Sequence, residues 1–158
     1  VWGLASGAFN LLAQLVIDAR LPVAALWAVP VIYLTAIGLS IWLAYVEKRD
    51  SADGRKSLLQ REFLNVLWLT ISMAFISNLI GFHIFTQWAM AAVWTVAGSI
   101  VLLYIGMHGN RRALIGAVVM IASLAVANFE LPFAGYALGC GFVLGYAGFG
   151  LADILARE

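Results

Sequence analysis

The side chains able to do chemistry in this chain are the few polar and ionisable ones that interrupt its apolar runs. Asn10 and Gln14 stand four apart, so on a helix they share one face. Counting about 1.5 Å per helical residue from the neighbouring turns puts Gln14 and Asn78 at a similar depth. Asp18, His83, Gln87, Asn128 and Glu130 cluster just beyond them, near the ends of apolar runs. Polar groups in a bilayer are costly unless they pair or line a wet cavity. Asn10, Gln14, Asn78, His83 and Glu130 are therefore the candidate solute-binding or pore-lining residues. His83 would change charge near neutral pH. The competing reading is that the amides hold helices together while the charged groups sit at the membrane surface.

No pattern for covalent or metal chemistry accompanies them. HExxH and GxSxG are absent, and no His, Cys and carboxylate cluster has metal-ligand spacing. The two lysines, Lys48 and Lys56, both lie outside the apolar runs, which excludes a retinal Schiff base within a span. His83 and His108 fall at opposite membrane faces and are poorly placed to ligate one haem iron. A non-enzymatic protein with no catalytic, cofactor or metal site is expected. Cys140 lies in a long apolar run and reads as a small buried hydrophobe.

These residues must be positioned by membrane helices. The chain of 158 residues is 64% hydrophobic and 11% charged, with mean hydropathy +0.98. Soluble domains average about 45–50% apolar and about 25% charged. A spanning helix needs about 20 largely apolar residues. Six segments meet or approach that length: 1–17, 21–46, 63–82, 88–107, 112–128 and 131–156, with a polar connector at 47–62. The first and fifth are the shortest, and the first carries Ser6, Asn10 and Gln14. The expected fold is all-α, a single domain over 1–158 with six transmembrane helices arranged as three antiparallel hairpins.

Orientation follows from the basic residues. Of nine, all but Arg20 fall in the 47–62 connector, at Arg111 and Arg112, or at Arg157. Positive charge is retained on the cytoplasmic side. Both termini are therefore expected in the cytoplasm, with the turns at residues 18–20, 83–87 and 129–130 outside. The expected location is the bacterial cytoplasmic (inner) membrane. Net charge of +1 gives no reason to expect nucleic acid.

Local signals add detail. Gly141, Gly145, Gly148 and Ala152 recur at spacings of four, three and four, the small-residue pattern of a close helix–helix contact. That face is expected to meet another helix of this chain, or a second copy or partner membrane protein. Gly135 and Gly139 form another small pair. Pro30 inside the second segment predicts a kink. The outer turns share a faint repeat, ARLPVAALW at 19–27 and FELPFAGYA at 129–137, each with Leu-Pro after a charged residue.

In length and Trp content the chain is similar to the tryptophan-rich sensory proteins, and in size and helix count to the six-span vitamin-binding subunits of energy-coupled importers. The Trp-Pro-Pro and Asn-x-x-Trp-Thr patterns of the former are absent, and no residue roles carry over. The functional expectation is a small channel, facilitator or solute-binding transport component with an outward-facing polar vestibule, its solute unspecified. The alternative is a structural or sensory subunit of a membrane complex, packing through the Gly-rich last helix.

Overall fold

A computed structural model describes residues 1–50, 58–81 and 87–155, and these contain helices and turns without a strand. The helices are α1 (Trp2–Ile17), α2 (Ala28–Asp50), α3 (Leu58–Gly81), α4 (Gln87–Met107), α5 (Arg111–Phe129), α6 (Ala134–Gly141) and α7 (Gly148–Leu155). A π-helical turn, Phe142–Ala147, joins α6 to α7, so Leu131–Leu155 forms one helical run.

Four stretches among the described residues are long and apolar enough to cross a membrane: Val23–Trp42, Trp88–Met107, Arg111–Phe129 and Leu131–Leu155. The fifth expected segment, one of the two shortest by sequence, falls within Arg111–Phe129 and meets the length. Two stretches are shorter. α1 has 16 residues, about 24 Å at 1.5 Å each, against a hydrocarbon core of about 30 Å. Among the described residues, the apolar stretch of α3 is Asn65–Ser77.

Packing follows the order α3, α4, α5, α6, α1, α2, each helix resting on the next. The run from α6 to α7 is the hub. Leu102 of α4, Ala113, Ala117 and Met120 of α5, and Phe142 form one fully packed cluster. Ala91, Ala127, Ala134 and Leu138 form a second. The end helices bury little. Among described residues, α2 buries Ala36 and α3 buries Ala74, while Leu34, Ile41, Trp68, Leu69 and Leu79 are each more than 60% exposed. The chain exposes 10733 Å², whereas a soluble monomer of 17.1 kDa exposes about 7,800 Å² by the usual scaling.

At the edges of the 47–62 connector, α2 runs to Asp50 and α3 starts at Leu58. Two expectations are corrected. Pro30 makes no mid-helix kink. It is the third residue of α2, where its missing amide would have no intrahelical partner, and a 3-10 turn over Val23–Trp27 precedes the helix. Cys140 is exposed, because the glycines beside it on α6 turn the other faces of the helix inward. Both Leu-Pro dipeptides open 3-10 turns, Val23–Trp27 after Pro22 and Leu131–Phe133 around Pro132.

The chain reverses after α1 through a left-handed residue. Ala19 has φ +56°, Arg20 N–H donates to the Leu15 carbonyl and Ala19 N–H to the Val16 carbonyl. This paired pattern satisfies carbonyls at the helix end and normally selects glycine at the left-handed position. Between α4 and α5 glycine does fill that role, at Gly109 with φ +101°. Asn110 then caps α5, its side-chain oxygen accepting from the amides of Arg112 at 3.1 Å and Ala113 at 3.3 Å.

Candidate functional site

α1 and α6 run antiparallel in close contact, and small residues make the approach possible. A Cβ on Gly3 would lie 2.7 Å from the Ala147 nitrogen, and one on Gly139 would lie 2.7 Å from Leu11 Cγ. At the end of this seam the smallest residue meets the longest polar one. Gly135 leaves room for Gln14 and for the Trp88 indole, both of which a Cβ there would strike.

Gln14 is 2% exposed, so its carboxamide must find protein partners or destabilise the fold. It finds three. Its Oε1 accepts from the Gly135 amide at 3.0 Å, and its Nε2 donates to the Pro132 carbonyl at 2.9 Å and to Asp18 Oδ1 at 2.8 Å. Gly135 is in the first turn of α6, where amides lack an intrahelical acceptor, so Gln14 caps that helix from another element. Asp18 completes the network, its Oδ2 accepting from the Tyr136 hydroxyl at 2.7 Å. Those hydrogen bonds, from Tyr136 first and Gln14 second, hold the Asp18 carboxyl below its ordinary value of 3.8, with Arg20 a smaller influence in the same direction.

Asn10 shares the Gln14 face and is 3% exposed. Its Nδ2 donates to the Ser6 carbonyl at 2.8 Å, while its Oδ1 has no hydrogen-bond partner among the described residues. Glu130 is exposed and ends α5, its backbone amide bonding to Val126 and its carbonyl accepting from Phe133. The side chain of Asn78, which falls on α3, and the whole of His83 lie outside the described residues. The structure thus places Gln14 and Asp18 in one cluster and Asn10 one turn further along α1.

The glycine stripe of the last helix divides. Gly141 and Gly145 pack inside the chain: a Cβ on Gly145 would stand 2.6 Å from Met120 Cγ and 2.7 Å from the Gly116 carbonyl, and one on Gly141 would strike Ser123. Gly148 and Ala152 are half-buried, and Gly148 has nothing closer than 3.7 Å. The change falls where the π turn ends.

Sequence reasoning did not find Thr95 and Ser99, both buried on α4 and bonded to the carbonyls of Ala91 and Thr95 one turn back. Nor did it find Asn110, which caps α5 and also donates to Asp153 Oδ1 at 3.3 Å. An Asn directly before a helical run is a cap signal and marked this position. Among the described residues, no group of three or more His, Cys, Asp or Glu could hold a metal ion. Chemically, the Gln14 network offers neutral amides and one ionised carboxylate whose oxygens are both engaged. It is equipped to fasten helices together.

No protein-family model, curated protein or solved structure matches the chain.

Proposed function

We propose that this chain is a multi-pass membrane protein acting as a non-enzymatic structural or sensory subunit of a membrane assembly. One observation carries the choice. Gln14, the most buried of the described polar candidates, has both ends of its carboxamide engaged by the protein. A residue lining a water or solute path keeps donors or acceptors for the passenger. The weakly buried α2 and α3 supply the apolar faces that lipid or a partner membrane protein would cover.

In this reading all six helical runs sit in or on the bilayer, both termini are cytoplasmic, and the membrane is the bacterial inner one. The support is the charge distribution: eight basic residues share the cytoplasmic breaks and Arg20 alone lies outside. Facilitated passage of a small neutral solute is the second reading. It is favoured by the buried Oδ1 of Asn10, which has no hydrogen-bond partner among the described residues.

Reconstitution separates the two. Vesicles holding the purified chain should show no solute flux above protein-free vesicles. Joint replacement of the outward α2 residues Leu34 and Ile41 by Ala should change the size of the assembly recovered in mild detergent without lowering thermal stability. Flux that disappears in Asn10→Leu, with folding intact, would overturn the subunit reading in favour of transport.

A further inference from the structure

An apolar groove lies where α1 meets the start of α2, a few residues along the chain from an exposed cation. It has a volume of about 400 Å³ and is lined by Phe9, Val23, Leu26, Trp27, Val29 and Pro30. Val23 and Trp27 stand out as its walls, 72% and 80% exposed. The 3-10 turn that replaces α-helix before Pro30 shapes this side of the groove. Arg20 lies three residues before Val23 and is exposed, in the turn set by the left-handed Ala19. It is the sole basic residue in the first 46 positions, and Asp18 is the sole acid there. The Asp18 carboxylate is directed to Tyr136 and Gln14 by both its oxygens, and Arg20 has no ion-pair partner among the described residues.

We infer that this groove is a binding site for one anionic phospholipid of the surrounding bilayer. The phosphate lies on Arg20, whose planar guanidinium suits a bidentate phosphate contact. An acyl chain lies in the groove. Trp27, a wall of the groove, is of the type that favours the headgroup level. A soluble phosphate would satisfy the cation and leave the groove empty, and a zwitterionic lipid would fill the groove while bringing a second cation to Arg20. The inference rests on the membrane reading.

The test is native mass spectrometry of the full chain released from nanodiscs containing equal phosphatidylglycerol and phosphatidylcholine of matched chains. One basic residue near a bilayer attracts anionic lipid by about fivefold. The preference for retained phosphatidylglycerol should therefore fall about fivefold in Arg20→Gln, the other basic residues supplying what remains. Trp27→Ala, at an exposed position that leaves the core intact, should reduce retention of both lipids. Unchanged preference in Arg20→Gln, or unchanged retention in Trp27→Ala, overturns the site. Flotation with vesicles is scored separately. A chain that floats with both lipids and shows no Arg20-dependent preference loses the lipid site alone, whereas one that floats with neither loses the membrane reading as well.

Discussion

The Gly135 amide donates to Gln14 Oε1 at 3.0 Å across 121 positions of sequence, and this bond fastens the end of α1 to the start of α6. The same carboxamide also takes in the Pro132 carbonyl. Replacing Gln14 by Leu keeps most of the volume and leaves both backbone groups without their partner. An unsatisfied buried group costs about 1–3 kcal/mol. Gln14→Leu should therefore lose about 2–3 kcal/mol of stability, measured by denaturation in mild detergent. A loss under about 0.5 kcal/mol would mean that the bond contributes nothing there.

Three glycine-to-alanine changes should differ in sign. Gly145→Ala places a methyl against the Gly116 carbonyl, a backbone atom that cannot rotate away, and should cost about 1–3 kcal/mol. Gly148→Ala meets nothing closer than 3.7 Å and Gly38→Ala nothing within 4 Å. Both lie in helical runs and should be neutral or stabilising by up to about 1 kcal/mol. Thermal unfolding of the three variants in one detergent makes the comparison.

Ala19→Gly should stabilise the chain. The left-handed conformation costs a residue with a Cβ about 1–2 kcal/mol and costs glycine little. Glycine also gains freedom in the unfolded state, which offsets part of the difference. A net gain of about 0.5–1 kcal/mol should appear as a raised melting temperature. A fall would place the turn in another conformation.

Acid should loosen the α1–α6 connection. The Asp18 carboxyl is held below 3.8 when folded, so its contribution is complete above the unfolded value and fades as pH falls through the folded one. The stability advantage of the wild type over Asp18→Asn should therefore be constant from pH 7 to about 5 and shrink below about pH 4. Melting curves across that range give the reading, and an advantage that grows on acidification would reverse the sign.

The helices were legible in sequence because an apolar run of sufficient length leaves the backbone few alternatives in lipid. The short first segment was visible for the same reason. Facing was harder. In helices that are apolar all round, periodicity does not distinguish the side turned to a neighbour, so the exposure of Cys140 and the division of the glycine stripe at Gly145 were hidden. The Asn10 and Gln14 pair was found by its spacing, but its destination was not, since nothing local marks Gly135 as the acceptor's partner. Pro30 misled because hydropathy places a segment without saying where α-helix begins within it.

The most direct test of the account is labelling with a membrane-impermeant maleimide in a Cys140→Ser background, using the single substitutions Arg20→Cys, Ser99→Cys and Arg112→Cys. Ser99 is 4% exposed and differs from cysteine by one atom, while Arg20 and Arg112 are exposed. The Arg20→Cys variant should label in intact cells and Arg112→Cys only after permeabilisation. Ser99→Cys should label under neither condition until the protein is denatured. Labelling of Ser99→Cys in the folded protein, or of the other two variants from the same side, would contradict a closed helical core held across the bilayer with its cationic ends inside.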